Sequence, residues 1–272
     1  MSAAGELRGV TVRDFAARKQ AGEKLVIVTA YDALFARLVD EAGVDGVLVG
    51  DSVGNVVAGF DTTLPVTLEQ MIYHGRAARR GTRRALLIVD MPFLTYQVDV
   101  TDAMRHCGRV AQETGAQAVK MEGAGENVLR AVEAVVGLGI PVMGHLGLTP
   151  QSVHALGGYR VQGRDASAAD RLLDGARRLQ DAGAFAVVLE LVPADVAARV
   201  TAALAVPTIG IGAGPACDGQ VLVLPDLLGL NDGFSPKFLK RYANLGESVR
   251  DAVRRFGDEV RGGSYPGAEH SF

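Results

Sequence analysis

The sequence predicts an α/β fold, a closed (β/α)₈ TIM barrel, from three observations on its 272 residues. Eight short apolar runs alternate with helical patterns along the chain. The runs are apolar throughout rather than alternating, as in parallel strands that are covered on both faces. Gly43, Gly115 and Gly183 each end a helical pattern just before a strand, where glycine forms a left-handed cap without a Cβ penalty. A doubly wound open sheet is the alternative.

The predicted strands are short, β-branched and apolar. They are Leu25–Ala30, Gly46–Val49, Ala85–Val89, Ala118–Met121, Pro141–Gly144, Phe185–Leu189, Pro207–Ile211 and Gln220–Val223. The helices carry apolar residues at a helical period, and Thr67 with Gln70 forms a capping box before the second of them. They are Leu34–Ala42, Leu68–Arg80, Asp102–Glu113, Glu126–Val136, Ser167–Ala182 and Ala194–Leu204, with an added N-terminal helix at Thr11–Ala21 and one or two helices in 225–260.

Length and composition predict one barrel domain over 1–272, with 1–10 as a flexible N-terminus and 262–272 as a C-terminal tail. The net charge of −3 gives no general attraction for nucleic acid. The opening residues lack the apolar region of a signal peptide, and no apolar run reaches the roughly 18 residues of a membrane span. Cys107 and Cys217 lack CxxC spacing. We therefore expect a cytoplasmic protein with reduced thiols and no membrane partner.

Polar residues follow most of the predicted strands. They are Tyr31 and Asp32, Asp51 and Ser52, Asp90, Glu122, His145, Glu190 and the glycine-rich turn Gly212–Gly214. The carboxyl ends of the strands meet at one face of a parallel barrel, and active sites lie there. The sequence therefore predicts a polar pocket at one mouth of the barrel.

Three of these residues, Asp51, Asp90 and Glu122, are carboxylates on neighbouring strands. Brought together, they would repel one another unless a cation lay among them. Carboxylate oxygens without cysteine suit Mg²⁺ better than Zn²⁺, and Mg²⁺ commonly binds only one or two carboxylates directly. The three acids are the predicted metal set, with room for one of them to act through water. A helix cap or a salt bridge is the alternative for each acid alone.

Three further residues are predicted to work beside this set. Lys120 lies two residues before Glu122, so both side chains lie on one face of the strand. Lys120 could neutralise a substrate carboxylate, form a Schiff base if its pKa were depressed, or pair with a core carboxylate. His145 lines the pocket or is a hydrogen-bonded core residue. Glu190 ends an apolar strand, and because desolvated carboxylates have raised pKa values, it is a candidate general base or a structural ion pair.

With these residues in place, the sequence resembles the ketopantoate hydroxymethyltransferase family over essentially residues 11–272. Long, specific runs carry the resemblance. They are Thr29–Asp32, Val49–Ser52, Thr63–Thr67, Gly144–Ser152, Gly157–Arg164, Ile209–Gly214, Asp218–Val223 and Tyr265–Ser271. Phe60, where some members carry histidine, departs from the family pattern.

The resemblance implies a barrel of the phosphoenolpyruvate/pyruvate-binding type. It implies transfer of a hydroxymethyl group from 5,10-methylenetetrahydrofolate to 3-methyl-2-oxobutanoate through a Mg²⁺-stabilised enolate, giving ketopantoate for pantothenate and coenzyme A synthesis. It also implies a homo-oligomer, often a decamer. On matching positions, Asp51, Asp90 and Glu122 correspond to the metal set, Ser52 and Lys120 to contacts of the substrate carboxylate, and Glu190 to the proton acceptor. The predicted substrate-binding set is Asp51, Ser52, Asp90, Lys120 and His145.

Two other functions remain possible from the sequence. A related Mg²⁺-dependent lyase or aldolase would use the same acids on another 2-oxo acid, but that group typically carries a catalytic cysteine in a KKCGH-like loop, which this chain lacks. A barrel that binds a metal and an oxo acid without catalysis would not need the metal set, Lys120 and Glu190 together.

Overall fold

Eight parallel strands pair in the order of the sequence, and the last pairs with the first. The strands of this computed structural model are β1 Leu25–Thr29, β2 Gly46–Val49, β3 Leu86–Asp90, β4 Ala118–Glu122, β5 Val142–Gly147, β6 Ala186–Glu190, β7 Thr208–Ile211 and β8 Gly219–Leu222. The predicted closed barrel is confirmed, and the open-sheet alternative is wrong. The structure describes residues 8–272, so most of the expected flexible N-terminus, residues 1–7, lies outside it.

The six predicted connecting helices are present, with ends within one or two residues of the expected ones, and a four-residue helix after β2 was not predicted. The helices are α1 Val12–Ala21, α2 Ala33–Glu41, α3 Val53–Val56, α4 Leu68–Gly81, α5 Val100–Thr114, α6 Glu126–Gly137, α7 Ala166–Asp181, α8 Ala194–Ala203, α9 Leu224–Leu227 and α10 Leu245–Arg261. The capping box of Thr67 and Gln70 is present. The three expected cap glycines all have positive φ angles.

The barrel interior is a packed apolar core in which α1 takes part. Strand residues such as Ile27, Ile88 and Ile209 fill it, and Phe15 of α1 is completely buried in the same cluster. The Phe15 ring packs edge-on against Phe185, with ring centroids 5.6 Å apart. The added N-terminal helix is therefore part of the barrel core.

Four strands run further than the sequence predicts, and this moves the candidate site residues into the sheet. The carboxylates at the ends of β3, β4 and β6 lie within the strands, and β5 continues through His145 to Gly147. Asp90 pairs in register with Lys120, and Glu122 with His145. The predicted strands were too short because a charged residue was taken to end a strand. The backbone hydrogen bonds of the sheet continue past such a residue when neighbouring strands supply partners for its charge.

Contacts divide the chain into two compact units, Met1–Val223 and Leu224–Phe272. The first contains the barrel. The second contains α9 and α10, so the expectation of one or two helices in 225–260 is confirmed. In the tail, Tyr265 packs edge-on against Phe256 and at a tilt against His270. One domain over 1–272 stays a prediction. No helix within residues 8–272 has the length and apolarity needed to cross a membrane.

Gly147, at the end of β5, is expected to tolerate no side chain. Its φ is +95°, and a Cβ there would collide with the Glu190 carbonyl oxygen. We predict that Gly147→Ala lowers the free energy of unfolding by about 1–3 kcal/mol, the range for backbone strain. Gly108, inside α5 with open space around it, is the matched control, and alanine there should stabilise by about 0.5–1 kcal/mol. Urea unfolding measures both, and a fully stable Gly147→Ala would contradict the packing.

Both cysteines should be unreactive in the folded chain. Cys107 and Cys217 are completely buried, and burial raises the pKa of the Cys107 thiol to about 12. Because the thiolate is the nucleophile, we expect no reaction with a disulfide reagent at pH 8 until urea unfolds the protein. Ser167→Cys, at an exposed position of α7, supplies a reactive thiol as the control. Rapid labelling of the native wild-type chain would show that a thiol is accessible.

Candidate active site

The predicted cluster of polar residues forms at the carboxyl end of the barrel, where five ionisable side chains are almost completely buried. They are Asp51, Asp90, Lys120, Glu122 and His145, each at most 6% exposed. Four come from β3, β4 and β5, and Asp51 lies two residues after the end of β2. Glu190, the last residue of β6, joins them from the next strand.

Lys120 is the central cation of this cluster. Its Nζ lies 2.8 Å from Asp90 Oδ1 and 4.0 Å from Glu122 Oε1, so Lys120 and Glu122 share a face as predicted. Burial alone would lower the pKa of Lys120, but Asp90, Glu122 and Asp51 outweigh it and raise the pKa well above its usual value. Lys120 is therefore an ammonium group, which disfavours the Schiff-base alternative because an imine needs a depressed pKa.

His145 lies between two carboxylates from neighbouring strands. Its Nδ1 is 3.1 Å from Glu122 Oε1, within hydrogen-bond geometry. Its Nε2 is 3.3 Å from Glu190 Oε2, a charge contact whose angles fall outside that geometry. Burial and Lys120 lower the pKa of His145, but the two glutamates raise it to about 9. His145 is thus a buried bridging cation, which agrees with both of its predicted roles.

Glu190 is more accessible than the other acids. Its side chain is 18% exposed, whereas that of Glu122 is 4% exposed. The desolvation expected for Glu190 from its apolar strand is therefore only partial, because the last strand residue reaches the open mouth. A partly exposed carboxylate beside His145 can meet a substrate that enters from solvent.

The protein around Asp51 stabilises its ionised form poorly. Burial first, and then Glu122 and Asp90, raise the pKa of Asp51 to about 8 against the opposing effects of Lys120 and Gln151. Asp90 Oδ2 accepts a hydrogen bond from the Asp51 amide, 3.0 Å away, while Asp90 Oδ1 pairs with Lys120 Nζ at 2.8 Å. A cation beside Asp51 would favour its ionised form.

Ser52 stands beside the acids at the start of α3. Its Oγ is 2.9 Å from the hydroxyl of Tyr31, and either atom could donate. The backbone of Gly50 lies close to this hydroxyl, since a Cβ on Gly50 would be only 2.7 Å from Ser52 Oγ. Ser52 is partly exposed, so its hydroxyl can reach a ligand in the pocket.

Sequence reasoning gave no role to two residues of this network, Tyr96 and Gln151. Tyr96 lies in the loop after β3 and is 1% exposed, and its hydroxyl accepts a hydrogen bond from the Glu122 amide at 2.9 Å. Gln151 donates to Asp51 Oδ2 at 2.9 Å. Gln151 belongs to the Gly144–Ser152 run that carries the family resemblance, which was the available signal. Nothing in the sequence marked Tyr96.

The donor set consists of carboxylate oxygens, which suit a hard cation. Within residues 8–272, no three Asp, Glu, His or Cys side chains are arranged to hold a metal ion together. Both oxygens of Glu122 have protein partners, His145 and the Gln151 amide, and so do both oxygens of Asp90, Lys120 and the Asp51 amide. Mg²⁺ commonly takes one or two carboxylates and completes its shell with water, so the three acids need not all contact it directly.

Comparison with known proteins identifies the family. The family model for ketopantoate hydroxymethyltransferase matches residues 9–268. A 3-methyl-2-oxobutanoate hydroxymethyltransferase of Pelobacter propionicus is 56% identical over 97% of each chain.

Solved structures with the same fold have far lower sequence identity. A phosphonopyruvate hydrolase, solved with oxalate and Mg²⁺, has a TM-score of 0.62 at 14% identity, over 96% of this chain and 93% of the other. A 2,3-dimethylmalate lyase of the PEP mutase/isocitrate lyase superfamily has a TM-score of 0.59 at 16% identity, over 96% and 91%. These likenesses confirm the (β/α)₈ barrel fold. Through the family model and the close relative, the chain belongs to the ketopantoate hydroxymethyltransferase family and is a transferase.

Proposed function

We propose that this enzyme forms ketopantoate by transferring a hydroxymethyl group from 5,10-methylenetetrahydrofolate to 3-methyl-2-oxobutanoate, in pantothenate synthesis. Family membership supports the product and the oxo acid. The observation that carries the chemistry is the buried cluster of Asp51, Asp90 and Lys120 beside the accessible carboxylate of Glu190. With a cation held by the two carboxylates, such a cluster would stabilise negative charge that develops on a substrate oxygen while a base removes a proton.

Asp51 and Asp90 would hold Mg²⁺, with Glu122 acting through water. When bound, the cation would supply Lewis-acid stabilisation of the charge that develops on the oxo acid. The raised pKa of Asp51, which is buried beside Glu122 and Asp90, supports a cation at this position. The indirect role of Glu122 follows from the preference of Mg²⁺ for one or two direct carboxylates.

Lys120 and Ser52 are proposed to bind the substrate carboxylate. Lys120 remains an ammonium group inside the pocket, and Ser52 presents a hydroxyl that Tyr31 orients. A fixed positive charge and an oriented hydroxyl recognise a carboxylate and hold C3 of the oxo acid in one position.

Glu190 is proposed as the base that accepts the proton from C3. The neighbouring His145 is positively charged, since its pKa is about 9, and its Nε2 lies 3.3 Å from Glu190 Oε2, which restrains that oxygen. The resulting carbanion is the nucleophile that forms the bond to the methylene carbon; in the overall balance one water supplies the hydroxyl group, and tetrahydrofolate is released. The homo-oligomer, which rests on the family resemblance, and the cytoplasmic location, which rests on the composition and the lack of an apolar targeting segment, stay predictions.

The role of Glu190 can be tested by isotope exchange. We expect Glu190→Gln to bind 3-methyl-2-oxobutanoate but to slow exchange of its C3 proton in deuterated water by about 10²-fold or more, the usual contribution of a general base. Glu133→Gln, exposed on α6, should exchange like the wild type. NMR follows the exchange, and an unimpaired Glu190→Gln would remove Glu190 from this role.

The cation and the one-carbon donor can be tested together. Treatment with EDTA should reduce consumption of methylenetetrahydrofolate in the presence of 3-methyl-2-oxobutanoate to background, and added Mg²⁺ should restore it. Oxaloacetate and isocitrate should give no product under the same conditions. Full activity after removal of metal would contradict the cation assignment, and cleavage of those acids would instead support the lyase alternative.

A further inference from the structure

Gln151 connects more parts of the pocket than any of the residues proposed for the chemistry. Its side-chain Nε2 donates to Asp51 Oδ2 and to the Met91 carbonyl, each at 2.9 Å. Its Oε1 accepts from the Tyr96 hydroxyl at 2.8 Å and from Gln97 Nε2 at 2.9 Å. The chain segments after β2, β3 and β5 therefore meet at one amide group.

The orientation of this amide is fixed by its partners. A flipped amide would direct its NH₂ group at the donor Gln97 Nε2 and its oxygen at two acceptors, Asp51 Oδ2 and the Met91 carbonyl. The Tyr96 hydroxyl already accepts from the Glu122 amide, which leaves its own proton to donate to Gln151. All four hydrogen bonds of the Gln151 side chain are thus made, and Gln151 is only 6% exposed.

The backbone of Gln151 acts on the second acid of the pocket. Its amide donates to Glu122 Oε2 at 3.0 Å, in the turn Pro150–Ser152 that follows β5. With His145 on Oε1, this contact occupies Glu122 on both sides. One residue therefore directs Asp51 through its side chain and restrains Glu122 through its backbone.

We propose that Gln151 is a positioning residue that holds the Asp51 carboxylate in the orientation needed to bind the cation, and that Tyr96 and Gln97 hold Gln151. The inference rests on the proposed function insofar as Asp51 is a metal ligand. Without the amide, Asp51 could rotate away, so the cation would bind less tightly while the barrel remained folded. Residues that orient metal ligands in this way typically change metal affinity by about 10–100-fold.

Mn²⁺ binding to the full-length metal-free protein, without substrate, tests the proposal. Gln151→Met keeps the size of the side chain and removes its hydrogen bonds, and its Mn²⁺ affinity, measured by EPR, should fall by about 10–100-fold. Tyr96→Phe removes one of the two donors to Gln151 and should weaken binding by a smaller factor. Gln180→Met is the matched control, because Gln180 accepts from Ala205 and Val206 outside the pocket. It should keep the wild-type affinity.

Thermal unfolding of each variant separates positioning from a loss of stability. Weaker Mn²⁺ binding by a folded Gln151→Met, with normal binding by Gln180→Met, supports the proposal. Unchanged affinity in folded Gln151→Met overturns it while leaving the proposed reaction intact. If Gln151→Met does not fold, Tyr96→Phe is the deciding variant. A Mn²⁺ affinity of Tyr96→Phe equal to that of the wild type then overturns the proposal. Failure of the wild-type chain itself to bind Mn²⁺ would refute the cation assignment and, with it, this inference.

Discussion

The mouth of the barrel depends on one physical constraint, the burial of three carboxylates with too few cations to neutralise them. Lys120 pairs with Asp90 and approaches Glu122, and His145 takes the other side of Glu122. Asp51, in contrast, accepts a hydrogen bond from the neutral amide of Gln151. Isolated buried charges are costly, so the arrangement is stable only because each acid has hydrogen bonds. We propose that the same arrangement binds a cation.

The closed barrel makes this arrangement possible. Parallel pairing in sequence order places the ends of β2 to β6 side by side, so residues far apart in the chain become neighbours. The apolar core below, including Phe15, holds the strands in register. The polar network above then fixes each side chain. The carboxylates supply the charge, the barrel sets the positions of the side chains, and the hydrogen bonds restrain them. The site can therefore be organised before substrate binds.

Most strands and most of the site residues at their ends could be predicted from the sequence. Strand patterns are local, and a parallel barrel brings the carboxyl ends of its strands to one face. Asp90 and Glu122 were found at strand ends, and the spacing of Lys120 and Glu122 placed them on one face. The extension of β5 through His145 was missed, because polarity alone was taken to end a strand. The connection between Tyr96 and Gln151 could not be inferred, since it joins loops 55 residues apart. The partial exposure of Glu190 could not be predicted either, because it depends on how the loops at this end of the barrel are arranged and not on the sequence of β6.

A crystal structure with Mg²⁺ and 3-methyl-2-oxobutanoate tests the central claim most directly. The account predicts electron density for the cation against Asp51 and Asp90, with the oxo acid beside it, its carboxylate near Lys120 and its C3 facing Glu190. The Lys120–Asp90 and Gln151–Asp51 contacts should remain. A cation bound elsewhere, or an oxo acid bound away from Glu190, would contradict it.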